Sequence, residues 1–353
     1  MFQLVAACKK PACGQLSYCA IVETTSCASY SRKLSVTMDL NIASIQFENT
    51  SGDKSHNLSI IRRLAGDAAA KGCHVVAFHE CCVTGYTHAS RLSRSELLAL
   101  AEPVPSGPST QALIAIAAEH HVVVLAGLFE RDDDADHIYN TYVCVDGSGL
   151  VARFRKLHPF ISRFLSSGNE YVVFDLLGWK AGILICYDNN IVENVRATAL
   201  LGAEIIFAPH VTMCTPSTRP GAGFVDSKLW DARERDPTSL RAEFDGLKGR
   251  QWLMKWLPAR AYDNAVYVVF SNPIGMDGDQ LKNGCSMILD PFGDVLDECK
   301  KLGEDMAVAF CTKGKLEAAG GHRYRKARRP ELYAGIVGNG HNAELEVAWM
   351  GTK

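Results

Sequence analysis

The strongest constraint on the fold is a regular alternation of short apolar runs with amphipathic stretches, which continues through most of the 353-residue chain. Residues 41–47 alternate apolar and polar side chains with the period of a strand. Residues 56–71 then place Leu58, Ile61 and Leu64 at near-helical spacing. Strands and helices that alternate along a chain pack into layers, so the sequence predicts an α/β architecture.

Two predicted hairpins indicate that the sheets are mixed rather than purely parallel. Residues 139–145 and 150–155 flank the turn sequence Asp146-Gly147-Ser148-Gly149. Residues 172–176 and 180–186 form a second predicted strand pair around a glycine. Two mixed sheets with helices outside, a four-layer α-β-β-α sandwich in a single domain, fit this pattern. The pattern alone leaves a single doubly wound sheet open.

Three segments depart from the alternation. Residues 1–37 show neither strand nor helix periodicity and precede Met38, so we predict an N-terminal extension outside a main domain of residues 38–335. Within that domain, residues 214–249 are rich in Pro and Gly, and we expect an inserted loop there. Residues 336–353 are expected to form a C-terminal tail.

The composition is that of an ordinary globular domain, with 47% hydrophobic and 22% charged residues and a net charge of −2. We find no basic face for nucleic acid and no apolar run of the roughly 20 residues that a membrane span needs. The 13 cysteines are not spaced as in a disulfide framework, which indicates a reducing compartment. We therefore expect a cytoplasmic protein that binds neither nucleic acid nor membranes. A mitochondrial transit peptide in residues 1–37 is the alternative, although Arg32 is the only arginine there.

Three polar residues stand at the ends of predicted strands: Glu80, Lys156 and Cys186. A partly desolvated carboxylate suits a general base, an ammonium group can stabilise an oxyanion, and a thiol can act as a nucleophile. Each residue alone also has an ordinary structural explanation, as a capping Glu, a strand-end Lys or a buried apolar Cys. Their occurrence together at three strand ends predicts a catalytic set.

The residues around this set resemble the nitrilase superfamily of carbon–nitrogen hydrolases, in its amidase or N-carbamoyl amine hydrolase branch. The resemblance covers roughly residues 40–312. The matching motifs are Glu80-Cys81-Cys82-Val83-Thr84-Gly85-Tyr86, Phe154-Arg155-Lys156-Leu157-His158, Ile185-Cys186-Tyr187-Asp188, Tyr139-Asn140-Thr141, Ala208-Pro209, Arg260-Ala261-Tyr262-Asp263-Asn264 and Asp290-Pro291-Phe292-Gly293.

The resemblance implies an α-β-β-α fold, usually dimerised through outer helices, and a thioester route without metal or organic cofactor. Cys186 would attack the carbon of a small-molecule amide or nitrile while Glu80 takes its proton. Lys156 and the backbone N–H of Tyr187 would hold the oxyanion, and His210 would border the pocket. We expect amides or N-carbamoyl amines as substrates ahead of nitriles, because true nitrilases typically carry Trp and Glu directly after the Cys.

The chain departs from the family in two places. Many members carry a second Glu shortly after the Lys, whereas this region reads Ser162-Arg163-Phe164-Leu165, and Glu170 is the next carboxylate. The inserted loop is the second departure, and it is expected to shape substrate choice, with its acidic residues as candidate contacts for a cationic substrate end.

Other functions were weighed against this one. A metal site from His79, Cys81, Cys82 and His88 does not match a recognised zinc spacing. A papain-like protease using Cys186, His210 and Asn264 would leave the Glu80 and Lys156 motifs unexplained. A non-catalytic binding member of the same fold has only the missing second Glu in its favour. A membrane-bound acyltransferase of the superfamily would need membrane spans.

Overall fold

A computed structural model of the chain describes residues 38–132, 137–212, 215, 217 and 219–340. The predicted N-terminal extension, residues 1–37, lies outside the described residues, as do residues 341–353 of the predicted C-terminal tail. In the described part of the chain, no helix is both long and apolar enough to cross a membrane.

The elements of the described residues follow the predicted alternation of strands and helices. The strands are β1 (Leu40–Gln46), β2 (Val75–Ala77), β3 (Val123–Asp132), β4 (His137–Asp146), β5 (Gly149–Arg155), β6 (Val173–Leu176), β7 (Trp179–Ile183), β8 (Ile205–Pro209), β9 (Tyr267–Ser271), β10 (Ile274–Asp277), β11 (Gln280–Asn283), β12 (Met287–Leu289), β13 (Val295–Glu298) and β14 (Asp305–Cys311). The helices are α1 (Lys54–Ala70), α2 (Arg94–Leu100), α3 (Pro108–His120), α4 (Val192–Leu200), α5 (Ser227–Asp231), α6 (Pro237–Asp245), α7 (Arg250–Leu253), α8 (Leu257–Tyr262), α9 (Lys313–Ala318), α10 (Gly321–Lys326) and α11 (Pro330–Val337).

Two six-stranded mixed sheets form the centre of the fold. The first has the strand order β14-β1-β2-β3-β4-β5 and the second has β13-β12-β9-β8-β7-β6. In each sheet three central strands run parallel, β1 to β3 in the first and β7 to β9 in the second, and antiparallel strands complete the edges. The predicted mixed sheets are therefore confirmed.

The two sheets pack face to face, with helices on the outer faces. Ile42 and Leu125 of the first sheet share one buried cluster with Phe207 and Phe270 of the second. Between the sheets, the Ser44 hydroxyl donates to the Phe270 carbonyl oxygen at 2.7 Å. Helices α1 and α3 bury their apolar stripes on the other face of the first sheet, and α4 and α8 lie against the second sheet. The α-β-β-α sandwich is thus confirmed.

The segment of residues 214–249 is not the continuous loop that its Pro and Gly content suggested. Its described part contains α5 and α6, capped by the side chains of Asp226 and Asp236. Trp230 and Phe244 on these helices bury against Leu281 of the β10–β11 hairpin. The sequence did not predict these short helices, because their few apolar residues show a recognisable pattern only once the hairpin that they pack against is known. At the other end, α11 runs to Val337, across the boundary that was expected at residue 335.

Candidate active site

The carboxyl ends of β2, β5, β7 and β8 bring the predicted residues together. Glu80 lies three residues beyond the end of β2, and Lys156 directly follows β5. Cys186 lies three residues beyond β7, and His210 directly follows β8. Strands β2 and β3 run parallel, and two antiparallel steps through β4 give β5 the same direction, so the carboxyl ends of β2 and β5 lie at one edge of the first sheet. Strands β7 and β8 are parallel neighbours in the second sheet, so their carboxyl ends also lie together. Crevices at the carboxyl ends of strands are the usual position of sites in such sheets.

Cys186 is the first residue of a 3₁₀ turn, Cys186–Asn190, rather than the last residue of a strand. Its φ is +50°, a left-handed conformation that side-chain-bearing residues rarely adopt. Cys81, the residue after Glu80, has a φ of +48°. Unusual backbone conformations of this kind are found where the surrounding structure fixes a functional side chain. The turn begins three residues after the end of β7, and Cys186 is 8% exposed.

The centre of the site is a buried ion pair. Lys156 Nζ lies 2.6 Å from Glu80 Oε1, and both side chains are inaccessible to solvent. The same carboxylate oxygen accepts a hydrogen bond from Asn140 Nδ2 at 2.6 Å. Glu80 Oε2 has no hydrogen-bond partner among the described residues, although it is buried. One oxygen of Glu80 is therefore fixed by two donors, while the other makes no hydrogen bond of ordinary geometry within the described part of the chain.

Two aromatic rings flank the Lys156 ammonium. Its Nζ lies 5.3 Å from the ring centroid of Tyr86 and 5.1 Å from that of Phe160, within the range of cation–π attraction. Burial acts to lower the pKa of Lys156, but Glu80 and further acidic groups, Asp188 among them, together raise it well above its ordinary value. Lys156 is therefore a permanent cation, which is the state that an oxyanion requires.

The Cys186 thiol has a pKa raised to about 12, first by burial and then by the negative charge of Glu80, with Lys156 acting in the opposite direction. The charge of Lys156 therefore does not stabilise a thiolate at Cys186. The reason is that Lys156 is already neutralised by Glu80 at 2.6 Å, so the thiol experiences a nearly neutral pair inside a low-dielectric pocket. Cys186 is therefore a neutral thiol with the Glu80 carboxylate nearby.

A buried carboxylate joins the lysine strand to the cysteine turn. Asp188 Oδ1 accepts from His158 N at 3.0 Å and lies 2.8 Å from His158 Nδ1. Asp188 Oδ2 accepts from Leu157 N at 3.2 Å and from Ile185 N at 3.3 Å. Asp188 is fully buried. It therefore fixes the residues that follow Lys156 against the turn that carries Cys186.

The far end of the turn is held by Arg260. Its Nε donates to the Asn189 carbonyl oxygen at 2.8 Å, and a terminal nitrogen donates to the Asn190 carbonyl oxygen at 3.1 Å. A cation at the C-terminal end of a helical turn satisfies carbonyl groups that otherwise lack partners. This explains the position of Arg260 in one of the matching motifs.

The two predicted pocket residues both lie next to Cys186. The ring of Tyr187 packs edge-on against Phe160 at a centroid distance of 5.7 Å. His210 is buried, with Nε2 3.3 Å from Asn189 Nδ2 in the cysteine turn. Burial, followed by the charge of Lys156, holds the pKa of His210 well below its ordinary value, so its imidazole is neutral.

The region where the family resemblance predicts a second Glu, residues 162–170, holds no acid in contact with Lys156. Arg163 is exposed, and its guanidinium lies 4.9 Å from the ring centroid of Phe164, while Glu170 is also exposed. The acidic residues of the inserted segment do not replace it, because Asp226 caps α5 and Glu234 is 91% exposed. Asp188 is the second carboxylate whose charge acts on Lys156.

Sequence reasoning missed three contributors to the site: Asn140, Tyr86 and the clamping role of Asp188. Asn140 is a buried amide side chain in strand β4. A buried amide needs a polar partner, and this was the signal in the sequence that could have identified it. Tyr86 and Asp188 were quoted as parts of motifs, but their partners lie far away in the sequence. Among the described residues, no group of three His, Cys, Asp or Glu side chains is arranged to hold a metal ion.

Comparisons with known proteins agree with this geometry. The family description "Carbon-nitrogen hydrolase" matches residues 41–319. A nitrilase of Pyrococcus abyssi is 28% identical over 273 residues, which is 76% of this chain and 88% of that protein. The omega-amidase NIT2 of Mus musculus is 29% identical over 269 residues, 72% of this chain and 82% of that protein.

Solved structures show the same fold. A mutant of the amidase from Nesterenkonia sp. AN1, with the acetamide moiety of fluoroacetamide added covalently to its active-site cysteine, superimposes with a TM-score of 0.62 at 19% identity. The match covers 85% of this chain and 98% of the amidase. The predicted resemblance is confirmed, and the chain belongs to the carbon–nitrogen hydrolase family.

Proposed function

We propose that the chain hydrolyses small amides or N-carbamoyl amines through a thioester on Cys186, with Glu80 as general base and Lys156 as oxyanion ligand. The observation that carries this proposal is the asymmetry of the Glu80 carboxylate. Oε1 is fixed by Lys156 and Asn140, each at 2.6 Å, while buried Oε2 has no partner among the described residues. An oriented carboxylate with one free oxygen is suited to accept a proton.

The attack step follows from the protonation states. Because the pKa of the Cys186 thiol is raised to about 12, the thiolate is scarce near neutral pH. Proton transfer from Sγ to Glu80 Oε2 therefore accompanies attack of the sulfur on the amide carbon. The carbonyl oxygen becomes an oxyanion next to Lys156 and the backbone N–H of Tyr187. A cation buried away from solvent, as Lys156 is, stabilises that charge more than it would in solution.

The same carboxyl group completes the cycle. Protonated Glu80 gives its proton to the leaving nitrogen as the carbon–nitrogen bond breaks, and ammonia or an amine departs. Glu80 then removes a proton from a water molecule, whose oxygen attacks the thioester carbon. Collapse of the second oxyanion breaks the carbon–sulfur bond, and Glu80 returns its proton to the sulfur. One base thus serves both half-reactions, without metal or organic cofactor.

Amides are favoured over nitriles because Tyr187 and Asp188 follow the nucleophile, and Asp188 is committed to the clamp on Leu157 and His158. The test compares propionamide with propionitrile, which share the same side chain, by ammonia release. Amide turnover is expected to give the higher kcat/KM, and a higher value for the nitrile would overturn the amidase assignment. Intact-mass analysis of acid-quenched enzyme should show the acyl adduct, and a binding protein without turnover would show none.

We also propose that the protein forms a homodimer through the outer face of the second sheet. Exposed apolar side chains cluster there on α4, α8 and α11. A cavity of about 460 Å³ between these helices has a mixed lining, with apolar side chains such as Leu200 and Val337 beside charged ones such as Arg196 and Asp263. Apolar patches of this kind mark interfaces. Sedimentation should give a dimer, and Leu200→Asp should weaken it.

A reducing compartment, the cytoplasm, is proposed from the cysteines. The eight cysteines among the described residues are all buried free thiols. Free thiols persist where glutathione and thioredoxin keep them reduced. Fluorescence imaging of a C-terminally tagged chain should show cytoplasmic signal, and mitochondrial signal would favour a transit role for residues 1–37.

A further inference from the structure

The orientation of the His210 imidazole shows what this residue offers to a substrate. His210 is 1% exposed, and its backbone N–H is bonded to the Ser271 carbonyl oxygen at 2.8 Å. The ring lies between Phe270, at a centroid distance of 4.7 Å, and Trp256, at 5.7 Å. These neighbours restrict rotation of the ring, so the two nitrogens have fixed directions.

The hydrogen bonds around Asn189 assign the tautomer of His210. Asn189 Nδ2 lies 2.7 Å from the Leu184 carbonyl oxygen, which only accepts, so this atom is the amide nitrogen. The same nitrogen lies 3.3 Å from the Cys186 carbonyl oxygen and 3.3 Å from His210 Nε2, so its second hydrogen is shared between these two acceptors. Because an amide nitrogen only donates, we assign Nε2 as the unprotonated nitrogen. The proton of the neutral ring is therefore on Nδ1.

The Nδ1–H group is buried and has no hydrogen-bond partner among the described residues. Leaving a buried donor unpaired is costly, and such groups are rare in folded proteins unless a ligand uses them. The position fits a ligand, because the backbone N–H of the next residue, Val211, interacts with the Cys186 sulfur. His210 thus directly precedes the residue in contact with the thiol, and its Nε2 contacts Asn189 in the turn that carries Cys186.

We propose that His210 Nδ1–H binds an oxygen acceptor on the acyl part of the substrate, one or two bonds beyond the carbonyl carbon that Cys186 attacks. This inference rests on the proposed function and narrows the substrate class to amides of hydroxy, keto or similarly oxygenated acids. His210 acts in this role as a neutral specificity residue. It takes no part in proton transfer, so the pH dependence of kcat/KM should show no transition caused by titration of His210.

Two substitutions separate this role from a structural one. The amide nitrogen of His210→Asn can occupy the place of Nδ1 and donate from there. The amide oxygen of His210→Gln can occupy the place of Nε2, where it accepts from Asn189, but the Nδ1 donor is lost. A purely structural role, in which His210 only supports Asn189, predicts that the Gln variant resembles the wild type and the Asn variant is impaired. The proposal predicts instead that the Asn variant still discriminates between oxygenated and unoxygenated amides and that the Gln variant does not.

The experiment compares matched pairs of nearly equal size, glycolamide with propionamide and 3-hydroxypropanamide with butyramide. Wild type is expected to favour one oxygenated member by about tenfold in kcat/KM. His210→Asn should retain most of that preference, and His210→Gln should reduce it to near one. A wild-type enzyme without preference in either pair, or a Gln variant that keeps the preference, overturns the proposal.

A second measurement is independent of turnover. Nitrogen-15 NMR of histidine-labelled Cys186→Ala protein should show the Nδ1–H tautomer of His210, and its Nδ1 signal should shift on addition of the preferred oxygenated amide. An Nε2–H tautomer, or no shift at saturating glycolamide and 3-hydroxypropanamide, overturns the inference about His210. If the tautomer and shift are as expected but no amide is hydrolysed by the wild type, the proposed hydrolysis fails while the binding role of His210 stands.

Discussion

The carboxylate of Asp188 lies 2.8 Å from Nδ1 of His158 and also accepts the backbone N–H of the same residue at 3.0 Å. His158 follows Lys156 by two positions, and Asp188 follows Cys186 by two. The pair therefore sets the distance between Lys156 and Cys186, the proposed oxyanion ligand and nucleophile, although it need not contact substrate.

Asp188→Asn should lower kcat by about a hundredfold, because a displacement of catalytic groups by about 1 Å has an effect of that size. KM should change less, since the pocket rings remain. The free energy of unfolding should fall by about 1–3 kcal/mol, since the buried N–H groups of Leu157, His158 and Ile185 lose an ionised acceptor. Steady-state kinetics and denaturant unfolding measure both effects.

His158→Ala, which removes only the ring contact, is the control, and its kcat should fall only a few-fold. An unchanged kcat in Asp188→Asn would exclude the positioning role.

Cys186→Ala should abolish hydrolysis while the fold is retained. Loss of a nucleophile typically removes several orders of magnitude in rate. Residue 186 keeps a φ of +50°, which Ala tolerates no better than Cys, so the thermal midpoint should change little. Ammonia release and thermal melting are the measurements. Residual turnover above about a hundredth of wild type would show that another group attacks the substrate.

The reactivity of Cys186 should rise with pH far into the alkaline range. With a pKa of about 12, the thiol is protonated at lower pH, and each pH unit below that value reduces the thiolate about tenfold. Reaction with a disulfide reagent, followed for the Cys186 peptide by mass spectrometry, should therefore be slow at pH 7. In Glu80→Gln the negative charge that raises the pKa is absent, so the same peptide should react faster at pH 8 to 9. Fast labelling of wild-type Cys186 at neutral pH would contradict the protonation state used in the mechanism.

The ring of Tyr86 should matter more than its hydroxyl. The hydroxyl is buried without a partner among the described residues, whereas the ring lies 5.3 Å from Lys156 Nζ. Tyr86→Phe should retain activity within a few-fold and raise stability by up to about 1 kcal/mol, because an unsatisfied polar group is removed. Tyr86→Leu removes the aromatic face and should lower kcat. A large loss of kcat/KM in Tyr86→Phe alone would instead assign substrate binding to the hydroxyl.

A chain that begins at Met38 should fold and be active. Strand β1 begins at Leu40, and the Met38 carbonyl oxygen accepts the indole N–H of Trp179 at 2.8 Å, so Met38 itself should be kept. The free energy of unfolding and kcat/KM of the shortened chain should equal those of the full chain. Aggregation or loss of activity on truncation would show that residues 1–37 are required.

Much of the fold was readable from the sequence because its signals are local. The period of residues 41–47 and 56–71 predicted β1 and α1 to within two residues, and the turn sequence after Asp146 predicted the β4–β5 hairpin. Helices α5 and α6 were not predicted, because they have few apolar residues, and these are buried only by contact with the distant β10–β11 hairpin. Local periodicity detects elements that bury a long face, and it fails for short helices held by distant contacts.

For the site, the sequence by itself determined which residues are candidates for catalysis, since Glu80, Lys156 and Cys186 were found from their motifs at strand ends. Only the tertiary structure decided their state and their support. Asn140 contacts Glu80 across 60 positions, and Asp188 contacts His158 across 30. The thiol pKa of about 12 likewise depends on burial and on the charge of a residue from another strand. A motif specifies side chains in sequence order, whereas desolvation and pairing depend on which distant groups the packed sheets bring within a few ångströms.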